Sequence, residues 1–365
     1  MQLTAGHDGT VLVSKLSARL RYRFLGSAAK RRLWERLPFG SRIAAHHREA
    51  LFDIVAGAAR QQALLAGLRA GIFDALAGQP RNAAEVERAT GLNTAVTARL
   101  LSWLVATGLI ERLSDDTFAL TVEGLVVADD DGVRAMIEHG DLLYADMRDP
   151  LALIAGDEVG LVAKYWPYRG DAGLPGDYGE LMRRSLPFTL EPILRAVDFS
   201  RLRHCCEIGG GNGALAIALA RRHPRLDITL VELPDVLPFA RAAIAQAGLD
   251  GRLSACTISD AARGTFDCVM ASRLLHDLDD DAAIALLARG RELAAPRASL
   301  VIAEPLAKEG RDTQTAYFTA YFAAMGSGRL RRPDEIMALC KAAGWKDEKP
   351  RWLHYPSCSV LKTGH

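Results

Sequence analysis

The chain has 365 residues, a length that suits two domains better than one compact core. Apolar residues make up 49% and charged residues 24%, the balance of an ordinary globular protein, and no apolar run of about eighteen residues predicts a membrane span. The formal net charge of +1 excludes a chain that is strongly basic or acidic as a whole, and the N-terminus lacks an export signal, so we expect a cytoplasmic protein.

Positive charge is concentrated near the N-terminus. Between Ser14 and Arg48 there are ten lysines or arginines and one acid, Glu35, a local charge of +9. Apolar residues are interleaved with these cations: Leu16, Leu20, Phe24, Leu25, Leu33, Trp34 and Phe39. The pattern is typical of a basic amphipathic helix at a membrane surface, and also of a solvated helix or a disordered arm. We expect residues 1–48 to form a basic arm, with peripheral contact at the inner membrane as a hypothesis.

The next segment resembles a winged helix. Apolar spacing predicts a long helix over 49–76, followed by helices at 83–89 and 94–107 and by two short strands at 109–112 and 118–121. DNA binding is the functional alternative for such a pattern. However, the second helix offers only Arg99 as a donor for base edges and phosphates. We therefore expect no nucleic-acid contact.

A helical, aromatic-rich stretch follows from Arg134 to Pro187. It completes a predicted domain over 49–195 and lies next to the predicted C-terminal domain, where substrate clefts form. We expect Trp166, Tyr178 and Met182 to line a substrate pocket, with core packing as the alternative.

From about Arg203 onward, short apolar runs alternate with helical segments. Strands are predicted at 204–208, 227–232, 253–258, 266–271 and 299–304, and the main helices at 213–222, 235–247 and 280–293. This alternation is typical of a doubly wound parallel sheet. We therefore predict the α/β class, with a Rossmann-like domain over 196–365.

A glycine-rich turn follows the first of these strands. Gly209, Gly211 and Gly213 leave room for a nucleotide-like ligand against the backbone, and Glu232 ends the next strand, where a carboxylate accepts ribose hydroxyls. The spacing Gly-x-Gly-x-Gly differs from the dinucleotide fingerprint, and an acid before it, Glu207, suits an amino group better than a pyrophosphate. The turn therefore predicts binding of S-adenosylmethionine (SAM).

One histidine follows a predicted strand at the ligand-binding edge. His276 comes after strand 266–271, and Glu304 ends the next strand at the same edge, where its carboxylate is expected to hold the imidazole. These residues predict a general base and its orienting acid. The other histidines and the six cysteines show no metal-ligand spacing, so we expect reduced thiols and no metal site.

Four motifs together resemble the SAM-dependent O-methyltransferases of the plant caffeate and bacterial small-molecule type. They are Glu-Ile-Gly-Gly-Gly-Asn-Gly from 207, Val-Glu-Leu-Pro-Asp-Val from 231, Leu-Leu-His-Asp-Leu-Asp-Asp from 274 and Ile-Ala-Glu-Pro from 302. The resemblance implies that the winged helix serves homodimerisation, that His276 and Glu304 act as base and orienter, and that Asp260 binds the adenine amino group. Plant-type members carry a second glutamate near the position of Leu330, which this chain lacks.

A narrower resemblance involves segments 50–55, 143–150, 165–168 and 327–336. These are similar to the hydroxyneurosporene (demethylspheroidene) O-methyltransferases of carotenoid synthesis in purple bacteria. The resemblance implies that the small-molecule acceptor is a hydroxylated carotenoid. Two alternatives stay open: methylation of a phenolic secondary metabolite such as a polyketide or pigment, and a non-catalytic winged-helix regulator that binds SAM or a metabolite.

Overall fold

A computed structural model describes residues 18–156, 159–165, 175–345, 350–354 and 358–364. The chain divides into two compact units between Ala128 and Asp129. The sequence predicts a domain limit between residues 195 and 196 instead, and that limit stays a prediction. None of the helices in the described ranges combines the length and apolarity needed to cross a bilayer.

The N-terminal unit is mainly helical. Its helices are α1 (Ala18–Leu25), α2 (Ala28–Glu35), α3 (Pro38–Arg69), α4 (Ile72–Leu76), α5 (Ala83–Thr90), α6 (Thr94–Ala106) and α7 (Val122–Asp129). Its strands are β1 (Arg81–Asn82), β2 (Ile110–Arg112) and β3 (Thr117–Leu120), which form an antiparallel sheet in the order β1–β3–β2. The helices and the wing predicted from the sequence are therefore present, and β1 is an addition, because two residues are too few to give a periodic signal.

The helix predicted at 49–76 differs from the structure at both ends. Helix α3 begins earlier, at Pro38, because the fixed φ of proline suits the first helical position. Gly71 then interrupts the predicted helix with a left-handed φ of 71°, and α4 begins at the next residue. Asn82 starts α5 with a reciprocal capping box to Glu85, which satisfies backbone amides at the start of that helix.

The C-terminal unit contains a seven-stranded sheet between helices. Its helices are α8 (Asp131–Asp146), α9 (Pro150–Ala155), α10 (Leu161–Tyr165), α11 (Pro175–Arg184), α12 (Pro187–Ala196), α13 (Ala214–Arg222), α14 (Leu237–Gln246), α15 (Asp280–Leu293), α16 (Thr313–Met325) and α17 (Pro333–Ala342). Its strands are β4 (His204–Ile208), β5 (Asp227–Val231), β6 (Leu253–Cys256), β7 (Phe266–Ser272), β8 (Ala294–Glu304), β9 (Arg351–Leu353) and β10 (Ser359–Gly364).

The strand order β6–β5–β4–β7–β8–β10–β9 confirms the predicted Rossmann-like fold. Strands β4 to β8 pair in parallel, and β10 runs antiparallel to β8 and β9. Both faces of β4 are covered, because Cys205 and Cys206 point into separate apolar clusters on opposite sides of the sheet. All six cysteines carry free thiols. The parallel strands end at one edge, where the glycine turn, Glu232, His276 and Glu304 lie.

Candidate active site

The turn between β4 and α13 brings the backbone close to neighbouring side chains. Gly209 and Gly211 have left-handed φ values of 72° and 59°. A Cβ atom at Gly209 would lie 2.6 Å from Cδ2 of Leu274, whereas one at Gly211 would meet no atom within 4 Å. The left-handed backbone favours glycine at both positions; the close approach to Leu274 adds to this at Gly209, whereas Gly211 leaves open space beside the turn.

Glu232 ties the turn to the end of β5. Its carboxylate accepts hydrogen bonds from the amides of Gly211, at 2.9 Å, and Leu233, at 2.7 Å. Burial raises the pKa of Glu232, and these two amides oppose that effect by stabilising the carboxylate. Each carboxylate oxygen keeps a lone pair for a hydroxyl donor.

Glu207 carries an unsatisfied acceptor at the same turn. It is 2% exposed, and its Oε2 atom has no hydrogen-bond partner among the described residues. Burial and then the charge of Glu232 raise the pKa of Glu207 to about 8. A buried carboxyl with a free oxygen is suited to an incoming cationic group, which would supply the missing partner and favour ionisation.

Three neighbouring cavities surround these residues. The larger cavity, of about 430 Å³, is lined by Ile208, Gly209, Val231, Glu232, Leu233, Ile258, Leu274, Asp277, Leu278, Leu286, Met325 and Ser327. The glycine-loop cleft, of about 50 Å³, is lined by Gly179, Met182, Leu186, Thr189, Glu207, Gly209, Gly210, Gly211, Asn212, Ala214, Leu215, Ser272 and Arg273. The aromatic cavity, of about 120 Å³, is lined by Met136, His139, Leu181, Met182, Ser185, Phe188, Thr189, Arg273, His276, Pro305, Tyr317, Phe318, Tyr321, Phe322 and Cys358.

The cavities share walls. Gly209 lines both the larger cavity and the glycine-loop cleft, while Met182 and Arg273 line both the cleft and the aromatic cavity. Consecutive residues of one turn face different cavities, because His276 lines the aromatic cavity and Asp277 the larger one. A ligand that extends from the larger cavity into the cleft would therefore end beside the aromatic cavity.

His276 is held by a buried carboxylate. Its Nδ1 atom is hydrogen-bonded to Oε2 of Glu304, and both residues are almost fully buried. The other oxygen of Glu304 accepts from the amides of Leu274, at 2.8 Å, and Leu275, at 2.7 Å. One carboxylate thus fixes both the ring and the backbone that precedes it.

The charge state of His276 is set by opposing effects. Burial disfavours the charged imidazole, but the carboxylates of Asp277 and Glu304 outweigh it and raise the pKa of His276 to about 9. The Oδ1 atom of Asp277 lies 3.2 Å from Nε2 of His276, outside hydrogen-bonding geometry. Burial in turn raises the pKa of Asp277 to about 6. Both residues therefore retain protons at higher pH than their isolated side chains would.

Other predicted site residues occupy varied positions. Met182 lines two of the cavities. Gly213 caps α13 and is absent from the three cavity linings. Asp260 is exposed and accepts a hydrogen bond from Thr257 at 2.6 Å, and its neighbour Ile258 lines the larger cavity instead. Trp166 and the side chain of Tyr178 lie outside the described residues.

Sequence reasoning missed one wall of the aromatic cavity. Helix α16 contributes four rings, those of Tyr317, Phe318, Tyr321 and Phe322. His139 faces them from α8, with its Nε2 atom 2.6 Å from the hydroxyl of Tyr321, and burial lowers the pKa of His139 to about 4. The cluster of aromatic residues within one helix was a usable signal, whereas the pairing with His139 was not visible in the sequence.

Arg273 was also missed. It has a left-handed φ of 49°, which is uncommon for a residue with a side chain, and its Nη1 atom donates to the hydroxyl of Ser185 at 2.9 Å. Its backbone amide bonds to Ala303 of β8. A cation thus lies at the wall that the cleft and the aromatic cavity share.

Family models and similar proteins both indicate the same enzyme family. A model of the O-methyltransferase domain matches residues 164–346, and a model of the O-methyltransferase dimerisation domain matches residues 52–123. Demethylspheroidene O-methyltransferase of Cereibacter sphaeroides is 33% identical over 91% of this chain and 90% of its own length. The enzyme of the same name from Rhodobacter capsulatus is 31% identical over 99% and 93%.

A solved structure has the same fold. The S-adenosylhomocysteine-bound form of CalO1, a methyltransferase of calicheamicin biosynthesis, superimposes with a TM-score of 0.71 at 24% identity, covering 88% of this chain and 99% of the other. The glycine turn, the free oxygen of Glu207 and the two acceptors of Glu232 fit the cofactor that such enzymes use. By its matched domains and by its similarity to these relatives over most of its length, the chain belongs to the family of SAM-dependent O-methyltransferases.

Proposed function

We propose that this O-methyltransferase acts on a hydroxyl group of a hydroxylated carotenoid, with His276 as the general base. The observation that carries the proposal is the sharing of walls among the three cavities. A cofactor in the larger cavity and the cleft would present its reactive end beside Met182 and Arg273. An acceptor in the aromatic cavity would meet His276 on the other side of that boundary.

The cofactor-binding roles follow from the hydrogen-bonding capacity of each residue. Glu207 binds the amino group, the turn from Gly209 to Gly213 lies against the methionine part, and Glu232 accepts the ribose hydroxyls. Asp260 is the proposed contact to the adenine amino group. When bound, SAM supplies an electrophilic methyl group on a sulfonium. The protein residues have to hold that group in line with the acceptor oxygen, and such alignment contributes up to about 7–11 kcal/mol in favourable cases.

The base acts on the acceptor and not on the cofactor. Nε2 of His276 takes the hydroxyl proton, while Glu304 keeps Nδ1 protonated and stabilises the resulting imidazolium. A positioned base contributes typically about 100- to 10,000-fold. The contribution is needed most for an aliphatic alcohol, which is much less acidic than a phenol.

The carotenoid acceptor is supported by two observations. Two relatives that are similar over most of the chain carry the name demethylspheroidene O-methyltransferase. The aromatic cavity also presents the rings of Tyr317, Phe318 and Phe322, on which a flat conjugated chain packs well. One feature favours the second candidate, a phenolic acceptor: the polar His139–Tyr321 pair lines the same cavity as His276 and could bind a second ring substituent.

Mass spectrometry of the purified protein with SAM tests the reaction. Hydroxylated carotenoids and a matched panel of phenols are offered, and the product is examined for the gain of one methyl group. Methylation of the carotenoid alone supports the proposal, and methylation of phenols alone supports the second candidate. Binding of SAM without turnover of any acceptor would favour a regulator. His276→Ala should keep cofactor binding and lose most turnover.

We also propose that the basic N-terminal segment contacts an anionic membrane, where such an acceptor would be found. In the described part of this segment, α1, α2 and the start of α3 carry exposed apolar residues among exposed cations. These apolar residues are Leu20, Tyr22, Phe24, Leu33, Leu37 and Phe39. Each cation near an anionic leaflet contributes about 1 kcal/mol, so binding should be reversible and salt-sensitive.

Co-sedimentation with vesicles tests this contact. Because α3 continues from Pro38 to Arg69, a chain shortened to Glu49 would cut through a helix, and charge reversal is the cleaner perturbation. The wild type should sediment with anionic vesicles at low salt, and a variant with Arg19, Arg23, Arg32 and Arg36 changed to glutamate should not. Neutral vesicles are the control. Equal recovery of both proteins in the supernatant would contradict the membrane contact and leave the methyltransferase assignment intact.

A further inference from the structure

The turn that carries His276 is bound along its backbone by a second segment. This turn, Leu275–Asp277, is a single 3₁₀ turn between β7 and α15. Arg331 donates through Nη1 to the carbonyl of Leu275 and through Nη2 to that of Leu278, the latter at 2.7 Å. The amide of Arg329 donates to the carbonyl of His276 at 2.9 Å. Three backbone carbonyls, that of His276 and two within two residues of it, therefore accept hydrogen bonds from residues 329–331.

The side chain of Arg331 is a deeply buried cation. It is 2% exposed, and its countercharge is Asp280, whose Oδ1 atom lies 2.8 Å from Nη2. Burying a guanidinium costs far more than burying an apolar side chain unless its donors are satisfied. Here the guanidinium donors bind Asp280, the first residue of α15, and the turn that carries His276. The buried side chain therefore connects that turn to the start of the helix.

Gly328 allows this close approach. Its φ is 77°, and a Cβ atom there would lie 1.8 Å from the carbonyl oxygen of His276. Ser327, one residue earlier, lines the larger cavity. The segment Ser327–Arg331 therefore connects the wall of that cavity to the backbone of the base.

We propose that Arg331 is a positioning residue for the reaction. By binding the backbone of the turn, it fixes the position of the His276 ring relative to Glu304 and to the aromatic cavity. This inference rests on the proposed base role of His276. Two residues would then hold the base in place. Glu304 binds the imidazole and the two amides before it, while Arg331 binds backbone carbonyls before and after His276.

Displacement of the turn would change the surroundings of the imidazole. The groups that face His276 are Asp277 on its own turn, Glu304 from β8, Arg273 after β7 and the ring of Phe322 from α16. The bond to Glu304 depends on ring position, whereas Asp277 moves with the turn. A loosened turn would therefore weaken the interaction with Glu304, and the pKa of His276 would fall.

The test compares Arg331→Met and Arg331→Lys with Arg332→Met. Arg332 is a matched control, because it is half-exposed and its side chain pairs with Asp334 and Glu335 rather than with the turn. For Arg331→Met we expect kcat to fall about 10- to 100-fold, the effect of an ångström-scale misplacement, with affinity for S-adenosylhomocysteine within about twofold of wild type. Arg331→Lys should recover part of the loss, and the control should stay near wild type.

Imidazole titration by NMR of histidine-labelled protein supplies a readout independent of turnover. The His276 resonance should titrate at lower pH in Arg331→Met than in wild type. Asp280→Ala offers a milder perturbation at a half-exposed site if Arg331→Met does not fold, and it should shift kcat and the titration in the same direction. Unchanged kcat and unchanged titration in whichever of these variants folds would overturn the proposal.

The failure of the base assignment gives a different pattern. If His276→Ala keeps near-normal turnover, the proposed base role fails. If His276→Ala loses turnover while the Arg331 and Asp280 variants keep both kcat and the wild-type titration, the base role stands and the positioning role fails.

Discussion

Binding of S-adenosylhomocysteine should release a proton from Glu207. The carboxyl is buried, its Oε2 atom has no partner among the described residues, and its pKa is raised to about 8. At pH 7 it is therefore protonated in about nine molecules of ten before binding. An ammonium group placed against it favours the ionised form, so the proton has to leave as the ligand binds.

The magnitude follows from that pKa. Release of about 0.9 proton is expected at pH 7 if the carboxyl is fully ionised in the complex. Between pH 8 and pH 6 the ionised fraction falls from about one half to about one hundredth, so affinity should weaken by about 50-fold. The sign is fixed by the raised pKa: binding improves as pH rises towards 8 and then levels off.

Calorimetry in buffers of different ionisation enthalpy measures the proton count directly. Glu207→Gln should release almost no proton at this site, should bind about 10- to 100-fold more weakly at pH 8, and should lose most of the pH dependence. Adenosine is the ligand control, because it lacks the amino-acid part of the cofactor and therefore the ammonium group that would face Glu207. Proton release that is the same for adenosine, or that survives in Glu207→Gln, would refute the assignment of Glu207 to the amino group.

Three further predictions concern the cofactor, the base and the dimer. Gly211→Val and Glu232→Ala should each weaken S-adenosylhomocysteine binding at least about tenfold by calorimetry, and normal affinity in both would contradict the cofactor site. If His276 acts as the proposed base, its neutral form is the active one, and kcat/KM should rise with pH along a limb whose midpoint lies at about pH 9. Glu304→Gln should move this limb to lower pH, and a limb that stays in place would show that Glu304 does not set the pKa of His276. The exposed Phe52 and Val55 lie in the matched dimerisation domain. Light scattering should therefore report a dimer for wild type and a monomer for the double variant Phe52→Asp/Val55→Asp. A wild-type monomer at micromolar concentration would rule out a stable homodimer.

Local sequence patterns determined most of the C-terminal fold. Strand β4 is buried from Cys205 to Ile208, and the glycine turn follows it directly, with Gly209 packed close to Leu274. The bounds of β4 and α15 coincide with the predicted ones, since a glycine follows the strand and Asp279 caps the start of the helix. The same order of elements predicted that Glu232, His276 and Glu304 would meet at one edge of the sheet.

Tertiary structure alone decided the contacts that connect distant parts of the chain. His139 and Tyr321 are 182 residues apart, and neither sits in a motif that predicts their pairing. Arg331 belongs to a run of arginines that is typical of a solvated surface, yet it is buried against carbonyls 53 and 56 residues away. Helical and strand periods report which face of an element is buried but carry no information about which carbonyl a buried guanidinium will reach, because that depends on how the elements pack.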